Sequence, residues 1–373
     1  MNKAYVYELL PNNKQQEIIN KTTGCSRFIY NQYLAIKKDI YELLGISINK
    51  KQCYLLYNDI IKAAYPFLKE VDSLALCNSE INLDRAFSNF YRDKEVGYPK
   101  FKNKHKAKLR YTTNNQRGSI RVIDDKHIKL PKLGIVSINL HRSIPSDFTI
   151  KSATISKNRS SNKYSISILL ESEEKEIIKV KPTKVLGLDY SSTHLYVDSD
   201  NNTCNYNRYY RANETKLAKE ERKLSKCKLG SNNYYKQKIK KNKVDSKIAN
   251  SRRDFLHKES KRLADTYDVI VVEDINLQNI SQCLSLGKST NDNGFGMFRN
   301  FLEYKLNDRG KYFIKVNKFF PSSKLCSNCG YKKDKLLLSE RTYTCSNCHT
   351  IIDRDYNAAL NIKYEGMRLL NLV

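Results

Sequence analysis

Hydrophobic and polar positions recur along this chain with two periods, and the period changes from one region to the next. Residues 3–10 alternate around Tyr5, Tyr7 and Leu9 and predict a strand that Pro11 ends. Ile18, Thr22, Cys25, Ile29, Tyr33, Ile36 and Ile40 then fall at steps of three and four, on one face of a long helix. Two further helical stretches follow near 50–65 and 73–93, and Gly97-Tyr98-Pro99 closes this helical block. From about 100 to 181 the period becomes two. Short runs at 119–123, 127–130, 135–140, 151–156 and 164–171 predict a small β-barrel or curled sheet, which the first strand can join.

The second half reads differently. Residues 171–184 resemble a linker. An apolar strand follows at 185–189, and a second at 193–199 precedes the turn Asp200-Asn201-Asn202. Residues 206–262 predict helix and are strongly basic, with 19 Lys and Arg against 6 Asp and Glu. D-V-I-V-V-E-D at 268–274 is a buried-type strand. A helix near 295–309, a strand at 311–317 and a last helix from Asn357 complete the pattern, with no internal repeat.

Composition narrows the class. A chain of 373 residues, 40% hydrophobic and 28% charged, can bury two or three cores. No run of 18 apolar residues occurs, so no membrane-spanning helix is expected. The first residues lack a signal-peptide core, and a cytosolic, nucleoid-associated protein is expected. Lys and Arg number 67 against 39 Asp and Glu, a net charge of +28, which favours a polyanionic partner. The cations are clustered. Lys100, Lys102, Lys104, Lys106 and Lys108 alternate in an extended stretch able to track a backbone. Arg252 and Arg253 join the basic helical segment as expected nucleic-acid contacts.

Two constellations carry chemistry. Cys326, Cys329, Cys345 and Cys348 form two C-x-x-C knuckles separated by 15 residues. Four thiolates fill a tetrahedral zinc shell, so this Zn²⁺ is structural and has no open position. Gly330 and His349 follow the two knuckles, where positive φ is common. The other six cysteines are scattered and read as ordinary thiols. The second constellation is acidic: Asp189 ends one strand, Glu273 ends another, and Asp355 precedes Asn357-Ala358-Ala359. Such carboxylates, converging from separate elements, suit a two-magnesium phosphodiester hydrolase. Taken singly, each is weak evidence: a lone strand-end Asp such as Asp189 is more often a turn residue, Glu273 fits an ordinary exposed charge and Asp355 a helix cap. Spacing leaves Asp353 a rival to Asp355.

The chain resembles the TnpB proteins of insertion sequences, relatives of the type V CRISPR effectors. The matches run almost end to end: R-F-I-Y-N-Q-Y-L at 27–34, Y-P-K-F-K at 98–102, G-L-D-Y-S at 187–191, V-V-E-D at 271–274, F-P-S-S-K-L-C-S-N-C-G at 320–330 and D-R-D-Y-N-A-A-L-N-I at 353–362. The resemblance implies an RNA-guided DNA endonuclease with Mg²⁺ and Zn²⁺ as cofactors. Guide RNA and double-stranded target DNA carrying a short adjacent motif are its implied partners, in a monomeric ribonucleoprotein with no membrane role. By position, Asp189, Glu273 and Asp355 resemble the catalytic triad. The implied fold is α+β and multidomain. Residues 1–10 and 97–181 form a wedge-like β-barrel and 11–96 a helical recognition lobe. Residues 182–320 and 351–373 form an RNase H-like (RuvC) nuclease domain, with a zinc ribbon inserted at 321–350. Two positions depart from the family pattern. Cys77 stands where similar proteins often carry Gln, in the helix expected to read the adjacent motif. Asp189-Tyr190-Ser191-Ser192 replaces the commoner D-x-G. The competing readings are an RNA-guided binder without nuclease activity, a transposase, and a zinc-ribbon transcription factor. No H-x-H plus Tyr arrangement favours the transposase.

Overall fold

The computed structural model describes residues 2–372 apart from 57–59, 94, 105–106, 160, 174–176, 284–286 and 338. The chain divides into two compact units, Met1–Lys175 and Glu176–Val373.

In the first unit, strand β1 (Asn2–Leu10) leads into helix α1 (Asn13–Leu44). Asn12 starts the helix with a reciprocal cap: its side chain accepts from Gln15 N–H at 2.9 Å, and Gln15 Oε1 accepts from Asn12 N–H at 3.0 Å. Gly45 ends it at φ +67°, donating to the Tyr41 carbonyl. Thr22, Cys25, Ile29 and Tyr33 of the expected face are buried, and Ile19 is buried more fully than the expected Ile18. Short helices α2 (Lys50–Leu56) and α3 (Lys62–Ala64) and a 3₁₀ turn precede α4 (Ser73–Arg92), which Asp72 caps. Gly24 lies inside α1, and a Cβ added there meets nothing within 4 Å. Gly24→Ala is therefore expected to stabilise the chain by about 0.5–1 kcal/mol, read as a higher denaturation midpoint.

Strands β2 (Leu109–Asn114), β3 (Arg121–Asp124), β4 (His127–Leu130), β5 (Gly134–Asn139), β6 (Thr149–Lys157) and β7 (Tyr164–Glu171) join β1 in one antiparallel sheet, ordered β2-β6-β7-β1-β5-β4-β3. No ladder joins β2 to β3 among the described residues, so the expected barrel is found as a seven-stranded sheet with two outer strands. Strand β2 was not expected. Its inward positions are Tyr111 and Thr113, and a buried threonine hides the alternation.

In the second unit, β8 (Val185–Tyr190) and β9 (Tyr196–Asp198) are followed by α5 (Tyr209–Ser225) and α6 (Asn232–Thr266). The basic segment is thus two helices. They are parted at Gly230 (φ +81°), and Ser231 caps the second. Their antiparallel packing is marked by Gln237 reaching Glu220 and Lys241 reaching Glu221. Next come β10 (Val269–Glu273), α7 (Leu277–Cys283), α8 (Gly287–Asn293), α9 (Phe295–Asn307) and β11 (Tyr312–Val316). A hairpin of β12 (Thr342–Thr344) and β13 (Ile351–Asp353) runs straight into α10 (Arg354–Leu369). The last helix therefore begins three residues before the expected Asn357, because Asp353 caps it.

The sheet of this unit has the order β11-β10-β8-β9, with β8, β10 and β11 parallel. Side chains alternate between its faces. Leu186, Leu188, Ile270 and Val272 pack with residues of α6 and α9, whereas Val185, Val269 and Val271 pack with Ile362 of α10. No helix among the described residues is long and apolar enough to cross a membrane.

Candidate active site and cysteine ribbon

The parallel register sets the first two carboxylates side by side. Leu188 pairs with Val272, so the residues that follow them, Asp189 and Glu273, stand side by side near the ends of adjacent strands. Alternation then turns both toward the face that α10 covers. The C-terminal edge of parallel strands is where open α/β sheets bind ligands.

Helix α10 can reach that edge because two glycines let it touch the sheet. A Cβ at Gly187 would overlap the Ala359 carbonyl oxygen and stand 2.7 Å from the Lys363 nitrogen. A Cβ at Gly366 would run into the Val271 side chain. Asp355 lies one helical turn before Ala359, on the same face, and so comes over Asp189. The electrostatics reflect this convergence. Burial first, and then the Asp355 and Glu273 carboxylates, hold the Asp189 carboxyl well above the usual range, with Arg354 opposing. Burial raises Glu273 to about 7 against a hydrogen bond from Ser322. Arg341 pairs with Asp355 at 3.9 Å while staying largely exposed. Sequence reasoning missed this arginine, and nothing in its spacing marks it.

Asp353 and Asp355 have different surroundings. The Asp353 Oδ1 accepts from the N–H groups of Asp355 and Tyr356, both at 2.9 Å, and caps α10. Asp355, in the first turn, faces Asp189.

The cysteines converge more tightly. Among the described residues they are the only group of three or more ligand-type side chains whose donor atoms all lie within 4.8 Å of one another. The Cys326–Cys348 and Cys329–Cys345 sulfurs are each 3.6 Å apart. A tetrahedral zinc with Zn–S bonds of about 2.3 Å separates its sulfurs by roughly 3.8 Å, so the quartet fits one ion. Gly330 (φ +74°) and His349 (φ +55°) take the expected positive φ and close the knuckles onto the Cys326 and Cys345 carbonyls. The Thr350 hydroxyl, 3.2 Å away, pulls the Cys348 thiol down, toward the thiolate a metal requires. The three carboxylates are not gathered as closely as the four sulfurs.

The expected nucleic-acid residues divide. Lys100, Lys104, Lys108 and Arg253 are exposed, and Lys106 lies outside the described residues. Lys102 turns inward with its ammonium 3.5 Å from the Tyr30 ring centre, and burial lowers its pKa to about 8. The five lysines therefore do not share one exposed edge. Arg252, expected to face nucleic acid, instead pairs at 3.2 Å with Asp292, which is 1% exposed. In the first unit a cleft of about 540 Å³ gathers Arg27, Arg85, Lys102, Lys108 and Arg110 from α1, α4 and the chain around β2. The three arginines escaped the sequence reading because they come from separate elements.

The chain is similar to several known proteins. Residues 295–362 match the family model described as "Cas12f1-like, TNB domain", 167–284 the model "Probable transposase", and 1–45 a "Helix-turn-helix domain". In this chain, residues 1–45 form a strand and one long helix. A Streptomyces pristinaespiralis protein named "Putative RNA-guided DNA endonuclease" is 29% identical over 98% of this chain and 89% of its own length. The Escherichia coli (strain K12) protein "Putative RNA-guided DNA endonuclease InsQ" is 29% identical over 99% and 93%. The fold resembles the protein in a Cas12f1–sgRNA–target DNA complex, with TM-score 0.56, 13% identity and coverage of 97% and 98%. It also resembles the mini-RNA-guided endonuclease CRISPR-Cas_phi3, with TM-score 0.55, 9% identity and coverage of 97% and 92%.

Proposed function

The chain belongs to the TnpB family, and from that membership and the site's geometry we propose that it is an RNA-guided DNA endonuclease of an insertion sequence. One observation carries the reading: carboxylates from positions 189, 273 and 355 meet where parallel strands end beneath the first turn of α10. We read residues 182–320 and 351–373 as the RuvC-like nuclease domain, with the ribbon at 321–350 inserted in it. Residues 1–10 and 97–181 are read as the wedge-like domain and 11–96 as the recognition lobe.

Asp189, Glu273 and Asp355 are the residues that would hold Mg²⁺, whose preference is for hard oxygen donors. A bound ion pair would supply an activated water and a counter-charge for the leaving oxygen. The chain's own contribution is placement. Asp189 is buried and then crowded by two like charges, and a cation would relieve that penalty. Arg341 stands beside Asp355 with most of its side chain exposed, where a phosphate can pair with it. The cysteine quartet would hold one structural Zn²⁺. Guide RNA and target DNA, the latter with a short adjacent motif, are the partners in a monomeric ribonucleoprotein. The cationic faces of α5 and α6, with Arg253, and the five-cation cleft would contact phosphates.

The test is direct. RNA that co-purifies with the protein is sequenced, and a matching plasmid with randomised flanks is offered with Mg²⁺ or with EDTA. Cutting that needs Mg²⁺ is expected. Target binding with no cutting in any divalent ion rejects the nuclease and leaves an RNA-guided binder. The ribbon has its own test. Cys345→Ala is expected to take zinc from one ion per chain to near zero and to lower cleavage with it. Metal content and cleavage both staying at the wild-type level would refute the ribbon's role.

A further inference from the structure

Asn357 and Asn361 are buried on α10, 0% and 5% exposed, and their amides grip the chain on either side of Cys326. The Asn357 Oδ1 accepts from Ser327 N–H at 2.9 Å, and its Nδ2 donates to the Leu325 carbonyl at 2.7 Å. The Asn361 Nδ2 donates to the carbonyls of Ser322 and Leu325, each at 2.8 Å. The Ser322 side chain lies beside the Glu273 carboxylate, whose pKa it lowers against burial. One segment, 322–327, therefore carries a metal-binding thiol, touches Glu273 and holds the helix that bears Asp355.

Resting on the nuclease reading above, we propose that Asn357 and Asn361 are positioning residues. They clamp the first turns of α10 to segment 322–327, so that the folded ribbon sets where Asp355 stands relative to Glu273 and Asp189. Asp355 and Asn357 are two residues apart, about 200° around a helix. One side of the turn thus serves the carboxylates while the other holds the ribbon. An amide suits this place because it presents a donor and an acceptor side by side, as a peptide does. Serine keeps at most one of the two Asn357 bonds.

The experiment uses the full-length ribonucleoprotein. Zinc per chain, target binding, single-turnover cleavage against Mn²⁺ concentration, and amide hydrogen exchange over residues 353–359 are measured for Asn357→Ser and Asn361→Ala. Asn328→Ala is the control. Its Nδ2 serves Cys348 Sγ and Thr350 Oγ1 at an exposed position, so this change removes side-chain bonds within the ribbon while leaving segment 322–327 and its bonds to α10 in place. Both clamp variants are expected to keep zinc and target binding. They should raise the Mn²⁺ half-saturation or lower the limiting rate by about 10–100-fold, the range seen when partners of metal ligands are removed. They should also exchange faster over 353–359, while the control keeps wild-type values for both. Should Asn357→Ser fail to fold, Asn361→Ala, which leaves the Asn357 bonds in place, carries the same readouts. Wild-type Mn²⁺ dependence together with wild-type exchange in a folded clamp variant overturns the proposal. If the wild-type particle cuts nothing in any divalent ion, the nuclease reading fails, and exchange alone judges the clamp: faster exchange supports it and unchanged exchange overturns it.

Discussion

Asp189→Ala, Glu273→Ala and Asp355→Ala are each expected to lower guide-directed plasmid cleavage by on the order of 10³-fold or more, because losing a ligand forfeits several kcal/mol of charge stabilisation. Guide and target binding should survive, since they depend on cations elsewhere. A thermal melt sharpens the test. The Asp189 carboxyl is held above its ordinary range, chiefly by burial, so the folded state is penalised relative to the unfolded one once the pH passes the unfolded carboxyl's pKa of about 3.9. Asp189→Asn should therefore raise the melting temperature in EDTA while removing cleavage, the signature of a site kept at the expense of stability. Asp353→Ala is the counterpart. It removes the cap of α10, lowers stability by about 0.5–2 kcal/mol and leaves cleavage within about tenfold. The opposite pattern, with Asp353→Ala inactive and Asp355→Ala active, would exchange their roles.

Gly187→Ala is expected to damage the site as severely as the loss of a carboxylate, although a single methyl is added. Its Cβ would meet backbone on two sides, the Ala359 carbonyl and the Lys363 nitrogen, which no rotamer change can relieve. Overpacking of this kind costs about 1–3 kcal/mol or more. Helix α10 must lift from the sheet to accommodate the methyl, and it takes Asp355 away from Asp189. The melting temperature and cleavage should fall together, with zinc content retained. Gly366→Ala should behave alike, because Val271 stands against it. A Gly187→Ala protein that melts and cuts like wild type would show that the helix does not rest on the strand.

Local pattern disclosed much of this molecule. Long amphipathic helices such as α1, the apolar strand β10 and the cysteine quartet are written in periods and spacings of a few residues, and they were found. What escaped depends on contacts distant in sequence. Strand β2 hides because Thr113 is buried. Arg252 reads as one more surface cation until its buried partner Asp292, forty residues on, is seen. Gly187 stands two residues before Asp189 in G-L-D-Y-S, and nothing in that motif marks a close approach. Its reason for being glycine is a helix more than 170 positions downstream. Asp353 and Asp355 were inseparable by spacing. Hydrogen bonds from two backbone amides to Asp353 are what give the pair different surroundings. The Asn357 amide was visible as a letter, but its partners lie thirty residues earlier across the ribbon.

Strand β13 ends at Asp353 and α10 begins at Arg354, with no connecting residue between them. The junction is consequently a fixed gear. Inserting one residue between Asp353 and Asp355 would turn the carboxylate about 100° around the helix axis and shift it about 1.5 Å along it. Ribbons exchanged between relatives, or trimmed to make a smaller editing tool, must therefore be joined in phase at this point.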